Sequence, residues 1–194
     1  FKYIGEQILD LEKDGEANRY VFGFEESYGY LTGSYVRDKD AVDGSLMICE
    51  MFAYYKTHGQ SLLDVLNGLY AKYGYCLNTL HSYEFEGAEG FTKMQGIMES
   101  FRNNCPAGWV GHNILSVSDY RESVTHYADG KEEHIDLPKS NVLKYQLEGN
   151  LSVVVRPSGT EPKLKMYFSV SAENREKAQE MEKAFVGEVE NMLK

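Results

Sequence analysis

Residues 151–170 read LSVVVRPSGTEPKLKMYFSV, and this stretch carries the clearest structural pattern in the sequence. Leu151–Val155 is a short run of apolar residues, and apolar and polar residues alternate from Leu164 to Val170, so both segments are predicted to be β-strands. Two prolines, a serine and a glycine lie between them, a composition typical of a turn. We therefore expect two strands joined by a short loop that its prolines make rigid.

The residues around this stretch, 90–194, predict a compact α+β domain. Short strand patterns beyond Pro106 are separated by turns at Asp129-Gly130 and at residues 148–150. Helical patterns come before and after these strands, the second from about Ala172. We expect a small, mainly antiparallel sheet with helices on one face. The apolar faces of the helices are formed by Phe91, Met94, Ile97, Met98 and Phe101, and by Ala178, Met181, Phe185 and Val189.

Residues 1–89 have a different pattern, in which helices flank one strand. Residues 19–24 predict a buried strand and residues 43–58 a helix, and Ser61 with Asp64 is a capping signature for the next helix. This is part of an α/β domain, too short to complete one. We place the domain boundary after residue 89, with residues 75–87 as an extended connecting segment.

Composition and charge exclude several classes of protein. The chain has 194 residues, a formal charge of -10 and a pI near 5.0, so we expect no nucleic-acid or membrane partner. Cys49, Cys76 and Cys105 are far apart and lack the spacing of a disulfide framework or zinc site. We find no membrane-spanning apolar run and no signal peptide, and expect a cytoplasmic protein. The start at Phe1 without methionine suggests a fragment or an excised domain.

The loop at residues 156–163 is rich in groups that hold an oxyanion. Arg156 offers a planar fork for two phosphate oxygens, and Gly159 allows successive N–H groups to turn toward one point. Lys163 or Lys165 adds a point charge, since strand alternation puts both on one face. A tight turn with an arginine salt bridge is the alternative interpretation. The candidate phosphate-binding residues are Arg156, Ser158, Gly159, Thr160 and Lys163.

A second candidate site lies at residues 23–30, which read GFEESYGY. Glu25 and Ser27 are two residues apart at the end of a predicted strand. A carboxylate accepts hydrogen bonds from sugar hydroxyls, and a serine can donate or accept them. Taken alone the motif is weak, and solvated acids of a surface loop are then the favoured interpretation of Glu25 and Glu26.

Both segments resemble motifs of the α-D-phosphohexomutase family, the phosphoglucomutases and phosphomannomutases. RPSGTEPK at 156–163 resembles the phosphate-binding loop of the family's last domain. GFEESYGY is similar to the sugar-binding loop of its third domain, whose pattern is G-E-x-S-G, although Phe24 and Tyr28 separate the glycines from the functional pair. Residues 35–40, YVRDKD, are similar to the segment whose cations orient the substrate phosphate. The motifs occur in the family's order, and the resemblance covers essentially the whole chain.

This resemblance implies a fold and a reaction. Residues 1–89 would be the C-terminal part of the third domain and residues 90–194 the fourth domain. The full-length protein would be an intramolecular phosphotransferase of the isomerase class that interconverts hexose 1-phosphate and hexose 6-phosphate through a bisphosphorylated sugar. The loop at Arg156 would hold the phosphate that is not reacting. The implied sugar- and substrate-binding residues are Glu25, Ser27, Arg37 and Lys39.

Two motifs of the family are absent from this sequence. The family carries its catalytic phosphoserine in a T-A-S-H-N-P loop and its magnesium on a D-G-D-x-D-R loop, and neither string occurs here. Asp38, Asp40 and Asp43 lack the Gly and Arg framework of a metal loop, and helix capping explains Asp43. We therefore assign no catalytic and no metal-binding residue to this chain, and we expect the isolated chain to lack mutase activity.

Cofactors and partners follow from the same resemblance. Mg²⁺ and a bisphosphorylated sugar, as activator and intermediate, would belong to the full-length enzyme. The expected partners are the phosphosugar substrate and the remaining N-terminal domains of the same protein. Glucose, mannose and pentose phosphates all stay open as substrates. A noncatalytic phosphosugar-binding module, or a structural turn that binds nothing, are the alternative functions.

Overall fold

The computed structural model describes residues 1–25 and 28–193, apart from the side chain of Ala88. The chain divides into an N-terminal unit, Phe1–Gly68, and a C-terminal unit that begins at Leu69. This division lies earlier than the boundary predicted after residue 89. The reason is that residues 75–84, predicted to be a connecting segment, are a strand that pairs along its whole length with a strand of the C-terminal unit.

Among its described residues, the N-terminal unit contains two strands and three helices. The strands β1 and β2 form an antiparallel hairpin, and Leu31 of β2 and Ile8 of α1 are fully buried. The third helix, α3, runs across the boundary at residue 68. The elements are α1 (Lys2–Lys13), a 3₁₀ turn (Ala17–Arg19), β1 (Phe22–Glu25), β2 (Gly29–Thr32), α2 (Ala41–Thr57) and α3 (Leu62–Tyr73).

The helix cap predicted from the sequence is observed at α3, whereas the cap of α2 is a different residue from the one predicted. The predicted capping signature before α3 is confirmed, because Ser61 Oγ accepts from the amide of Asp64 at 3.1 Å and the Asp64 carboxylate accepts from the amide of Ser61 at 2.9 Å. The cap of α2 is Asp40, not Asp43. Asp43 instead accepts bonds from the amide and hydroxyl of Thr32, at 2.7 and 2.6 Å, which joins β2 to α2.

The strand predicted at 19–24 is shorter and less buried than expected. It begins at Phe22, and the neighbouring apolar side chains of Val21 and Phe24 are 76% and 63% exposed. The second strand of the hairpin, Gly29–Thr32, is not among the strands that the sequence predicted. Within the described residues β1 pairs only with β2, so it is an edge strand rather than the buried strand that was predicted.

The C-terminal unit is built on one antiparallel sheet of eight strands in the described part of the chain. The order is β3-β10-β9-β8-β5-β6-β7, with β4 paired to β5, and every pairing is antiparallel. The predicted fold class is therefore confirmed. The elements are β3 (Tyr75–Glu84), α4 (Gly87–Asn103), β4 (Gly108–Trp109), β5 (His112–Asp119), β6 (Val124–Tyr127), β7 (Glu132–His134), β8 (Leu143–Leu147), β9 (Leu151–Pro157), β10 (Lys163–Ala172) and α5 (Arg175–Val189), with 3₁₀ turns at Glu148–Asn150 and Glu190–Leu193.

The core lies between one face of this sheet and the helices α4 and α5. Alternate residues of the three central strands are buried, and they pack with apolar residues of both helices. The residues between them, including Arg156 and Lys165, therefore lie on the opposite face of the sheet. The central core residues are Met94, Met98, Phe101, Tyr145, Val153, Val155, Leu164, Met166, Phe168, Ala178, Phe185 and Val189.

No helix within the described residues is long and apolar enough to cross a membrane.

Two glycines of α4 give a matched pair of stability predictions. A Cβ at Gly90 would lie 2.7 Å from the backbone carbonyl atoms of Phe85, whereas a Cβ at Gly96 would have nothing within 4 Å. We expect Gly90→Ala to destabilise the C-terminal unit by about 1–3 kcal/mol through overpacking. We expect Gly96→Ala to stabilise it by about 0.5–1 kcal/mol, because alanine is the better helix former. Urea unfolding followed by tryptophan fluorescence measures both, and equal effects of the same sign would contradict the prediction.

Candidate functional site

The predicted phosphate loop connects the ends of β9 and β10. Pro157 ends β9, directly after Arg156, and Lys163 begins β10, so residues 158–162 form the turn. The amide of Ser158 donates to the carbonyl of Lys163 at 2.7 Å, and the amide of Lys163 donates to the carbonyl of Glu161 at 2.7 Å. The amide of Phe85 donates to the carbonyl of Pro162 at 2.9 Å. The loop is thus closed on itself and bonded to the segment that follows β3.

Two backbone N–H groups of the loop point at one oxygen. The amides of Thr160 and Glu161 donate to Ser158 Oγ at 3.4 and 3.3 Å. Convergent amides of this kind make a concave site that favours an anion. Gly159, between Ser158 and Thr160, does not have a positive φ, and a Cβ there would meet nothing within 4 Å. In this structure Gly159 therefore contributes open space rather than an unusual backbone conformation.

Arg156 and Lys165 face each other at the base of the loop. They are direct partners in the pairing of β9 with β10, a relation that places Cβ atoms about 4.5–5.5 Å apart. Arg156 is exposed and Lys165 half-buried, and neither side chain forms an ion pair within residues 1–25 and 28–193. Like charges directly opposite each other on a sheet are destabilising. An anion bound between these side chains would remove that repulsion.

Lys163 has a different environment from Lys165. Its Nζ lies 2.8 Å from Glu84 Oε1 on the neighbouring strand β3 and 3.7 Å from Glu161 Oε2. The hydrogen bond to Glu84 raises the pKa of Lys163, and the same bond lowers the pKa of Glu84. The positive charge of Lys163 is therefore already compensated by carboxylates. Its predicted role as a phosphate ligand stays a prediction.

In the N-terminal unit, Glu25 and Lys39 lie close together. Glu25 ends β1 opposite Gly29, and a Cβ at Gly29 would come within 3.1 Å of both Glu25 Oε2 and Lys39 Cδ. The Glu25 carboxylate also contacts the amino group of Phe1. The bond to Asp38 and the nearby charge of Glu25 raise the pKa of Lys39. Ser27, predicted to act with Glu25, lies outside the described residues.

Arg37, predicted to act with Lys39, has its own local partners. Its guanidinium forms an ion pair with Glu12 of α1 and donates to the carbonyl of Ser34 at 2.6 Å. Lys39 Nζ donates to Asp38 Oδ1 at 3.0 Å. The structure therefore does not bring Arg37 to the group that contains Glu25 and Lys39.

The three aspartates considered as metal ligands each have another role. Asp38 bonds Lys39, Asp40 caps α2 and also accepts from Tyr35 Oη at 3.0 Å, and Asp43 bonds Thr32. Within the described part of the chain, no group of three or more His, Cys, Asp or Glu residues could hold a metal ion. The described residues therefore do not fit the Mg²⁺ that the resemblance implies.

The two halves of the chain match different domains of one family. Residues 1–73 match the family model described as "Phosphoglucomutase/phosphomannomutase, alpha/beta/alpha domain III", and residues 120–187 match "Phosphoglucomutase/phosphomannomutase, C-terminal domain". The chain belongs to the phosphoglucomutase/phosphomannomutase family. The resemblance found in the sequence motifs is thereby confirmed, and the order of the domains agrees with it.

Individual proteins similar to this chain are phosphoglucomutases, which agrees with the family assignment. The phosphoglucomutase of Staphylococcus aureus (strain USA300) is 37% identical over 175 residues, which are 90% of this chain and 31% of that protein. The phosphoglucomutase of Staphylococcus haemolyticus (strain JCSC1435) is 36% identical over 177 residues, 91% of this chain and 32% of that protein. The chain thus spans about a third of the length of these curated relatives.

A solved structure supports the fold. The open form of pp63/parafusin, a phosphoglucomutase from Paramecium, superposes with a TM-score of 0.57 at 16% identity, covering 97% of this chain and 33% of that one. At this identity the likeness concerns the fold alone.

Two residues of the candidate site were missed or undervalued at the sequence level. The alternation in β10 put Lys165 on the same face as Lys163, but only the strand register identified it as the partner of Arg156. Glu84 carried no sequence signal at all, because it is 79 positions away from Lys163 in the chain and is brought there only by the pairing of β3 with β10.

Proposed function

We propose that this chain is the substrate-positioning part of a phosphoglucomutase or phosphomannomutase. In this proposal the complete enzyme interconverts hexose 1-phosphate and hexose 6-phosphate through a bisphosphorylated sugar. The loop of the C-terminal unit holds the phosphate that is not reacting. The supporting observation is that Arg156 and Lys165 face each other without a carboxylate partner in the described residues, beside the convergent amides of Thr160 and Glu161.

The chemistry of such a loop follows from its parts. The Arg156 guanidinium can pair two phosphate oxygens at once, and Lys165 supplies a second positive charge. Ser158 can turn its hydroxyl from the backbone amides toward the ligand, so that these amides bond a phosphate oxygen instead. Thr160 offers a further hydroxyl, and the space beside Gly159 admits the ligand. We include Lys163 among the candidate ligands, although Glu84 already bonds it.

We further propose that Glu25 accepts hydrogen bonds from sugar hydroxyls, with Ser27 as its partner and Lys39 as the neighbouring cation. The support is the close approach of Glu25 and Lys39 that Gly29 allows. Arg37 belongs to this proposal on the motif alone, because Glu12 holds its side chain. Glucose, mannose and pentose phosphates are all compatible with these groups.

The chemical step itself needs groups that the described residues do not form. When bound in the complete enzyme, Mg²⁺ would neutralise charge on the transferred phosphoryl group. The residues of this chain would bind and orient the sugar and its second phosphate, which lowers the barrier by positioning alone. We therefore expect the purified chain to give no turnover of glucose 1-phosphate. We also propose that the enzyme is cytoplasmic.

The N-terminal unit supports a further part of this proposal, that its partner is the rest of the same protein. A groove of about 670 Å³ in this unit is lined almost entirely by apolar side chains of β1, β2 and α2. Such surfaces mark interaction sites, and an α/β/α domain needs a sheet covered on both faces. The groove-lining residues are Val21, Phe22, Tyr30, Thr32, Gly44, Met47, Ile48 and Met51.

Titration with inorganic phosphate and with glucose 1-phosphate tests the proposed function. We expect saturable shifts of the Thr160 and Glu161 amide signals in ¹H–¹⁵N NMR spectra of the chain. Arg156→Ala should weaken binding at least about tenfold, since a charge-assisted hydrogen bond contributes about 1.5–3 kcal/mol. Arg175→Ala, at the start of α5, is the matched control. Equal phosphate affinity of the wild type and Arg156→Ala would refute the proposal.

A further inference from the structure

Glu84, the last residue of β3, contacts the phosphate loop from the adjoining strand. It is the register partner of Lys163, and its Oε1 lies 2.8 Å from Lys163 Nζ. The Glu84 side chain is 73% exposed and that of Lys163 is 26% exposed. Solvent weakens an ion pair so placed, and such pairs contribute little to global stability. We therefore expect the ion pair of Glu84 with Lys163 to affect the conformation of the loop rather than global stability.

Lys163 is the residue on which the loop contacts converge. Its carbonyl accepts from the amide of Ser158 and its amide donates to the carbonyl of Glu161, both at 2.7 Å. Ser158 Oγ in turn accepts from the amides of Thr160 and Glu161. A contact that restrains the Lys163 side chain therefore also restrains the residue that closes the loop. Through Ser158 it restrains the hydroxyl that accepts from the two loop amides.

The bond between Phe85 and Pro162 adds a second connection at the same place. The amide of Phe85, directly after Glu84, donates to the carbonyl of Pro162 at 2.9 Å. One side-chain contact and one main-chain contact thus join the end of β3 to the loop. Together they restrict the loop before any ligand arrives, which reduces the ordering cost of binding.

The charged residues of the loop fall into two groups, one with carboxylate partners and one without. Glu84 compensates Lys163, and Glu161 Oε2 lies 3.7 Å from the same ammonium group. Arg156 and Lys165 remain without such partners in the described residues, with a combined charge of +2. A phosphate monoester carries about -1.5 to -2 near pH 7. The pair Arg156 and Lys165 is therefore sufficient to match the ligand without Lys163.

We propose that Glu84 is a positioning residue for the phosphate loop, whose carboxylate holds Lys163 so that the loop amides and Arg156 can meet one phosphate group. This inference rests on the proposed function, because it assigns a supporting residue to that same site. It replaces the candidate ligand role of Lys163 by a structural role in the loop, so that Arg156 and Lys165 supply the charge that faces the ligand.

The direction in which one substitution changes phosphate affinity distinguishes this proposal from a purely electrostatic effect. Glu84→Gln removes a negative charge near the site and frees Lys163, so electrostatics alone predicts tighter phosphate binding. If Glu84 positions the loop, phosphate binding should instead become about threefold to tenfold weaker, the range expected when loop groups must be ordered again on binding. Glu86→Gln is the matched control, because it removes the same charge two residues away. The Glu86 side chain makes no capping bond to α4, so its loss should not disturb the helix.

The experiment titrates inorganic phosphate into the wild type and five variants: Glu84→Gln, Glu84→Asp, Lys163→Met, the Glu84→Gln/Lys163→Met double variant and Glu86→Gln. NMR follows the amides of Thr160 and Glu161. We expect Glu84→Asp to restore part of the affinity. The double variant should bind no more weakly than either single variant, because each single substitution already removes the same contact between Glu84 and Lys163. The urea midpoint should stay near that of the wild type in every variant.

The outcomes distinguish the two proposals. If the wild type shows no phosphate binding that depends on Arg156, the proposed function and this inference both fail. If Arg156→Ala weakens binding as expected but Glu84→Gln binds as well as or better than the wild type, only the positioning role fails. If Lys163→Met weakens binding further in the Glu84→Gln background, Lys163 is a direct ligand and the positioning role is refuted.

Discussion

Replacing Asp119 with alanine should destabilise the C-terminal unit by about 3–5 kcal/mol, because it leaves the buried Arg102 guanidinium without its counter-charge. Asp119 is 5% exposed, and its Oδ2 accepts from Arg102 Nε at 2.6 Å. The amide of Arg121 also donates to Asp119 at 2.9 Å. Asn141 and Glu99 also bond Arg102, each at 3.0 Å. Asn141 is neutral and the Glu99 side chain is about half-exposed, so neither replaces a buried carboxylate.

The same residue makes stability depend on pH. Burial acts to raise the pKa of Asp119, but the bond from Arg102 and the bonds from backbone amides outweigh it, and the pKa lies below its ordinary value. A carboxylate with a lowered folded-state pKa stabilises the fold above its unfolded-state pKa, and this contribution is lost as the pH falls through the folded-state pKa. The difference between the wild type and Asp119→Ala should therefore shrink in acid.

Tryptophan fluorescence during urea unfolding measures this prediction. Trp109 is the single tryptophan of the sequence. It is 2% exposed in the C-terminal core, with its ring 5.0 Å from that of Tyr145 and 5.9 Å from that of Phe185. Asp136→Ala, at an exposed position, is the control. A loss below about 1 kcal/mol for Asp119→Ala, the level of a surface ion pair, would show that the Arg102 pair is not effectively buried.

Charge reversal at Lys165 should have the largest effect on ligand binding. Lys165→Glu places a carboxylate directly opposite Arg156 on the neighbouring strand. The new ion pair would occupy the guanidinium and repel phosphate. Reversing one charge at about 4 Å changes the interaction with a unit charge by about 2 kcal/mol in water and more near a protein surface, so we expect affinity to fall about 30-fold or more.

Phosphate titration monitored by NMR measures this effect. Lys183→Glu makes the same change of charge at an exposed position of α5, and it should leave the affinity nearly unchanged. If Lys165→Glu and Lys183→Glu weaken binding equally, only the net charge of the protein matters, and the pairing of Lys165 with Arg156 has no part in the site.

Much of the C-terminal unit could be predicted because its sequence signals are local. The apolar face of α4, the alternation in β10 and the turn at residues 148–150 each depend on residues close in sequence, and each appears in the structure. The family resemblance of the two motifs is also confirmed by the domains that match. The exposed β1 was predicted less well, since an apolar run does not reveal what covers it.

The sheet partner of β3 and the partners of charged residues could not be predicted in the same way. β3 was recognised as extended, but its attachment to the C-terminal sheet depends on its pairing with β10. Asp43 was interpreted as a helix cap, whereas Asp40 caps α2 and Asp43 binds Thr32 across the turn. These contacts join residues that are distant in sequence, or choose between neighbouring residues of the same type.

At residues 156–163, residue types at fixed spacing were enough to predict a loop between two strands, to propose anion binding and to recognise the family resemblance. Which of the loop cations has a carboxylate partner depends on the tertiary structure. The register of β9 with β10 puts Lys165 opposite Arg156, and that of β3 with β10 puts Glu84 on Lys163. Strand register is set by the packing of the whole sheet on its core, and no short stretch of sequence encodes it.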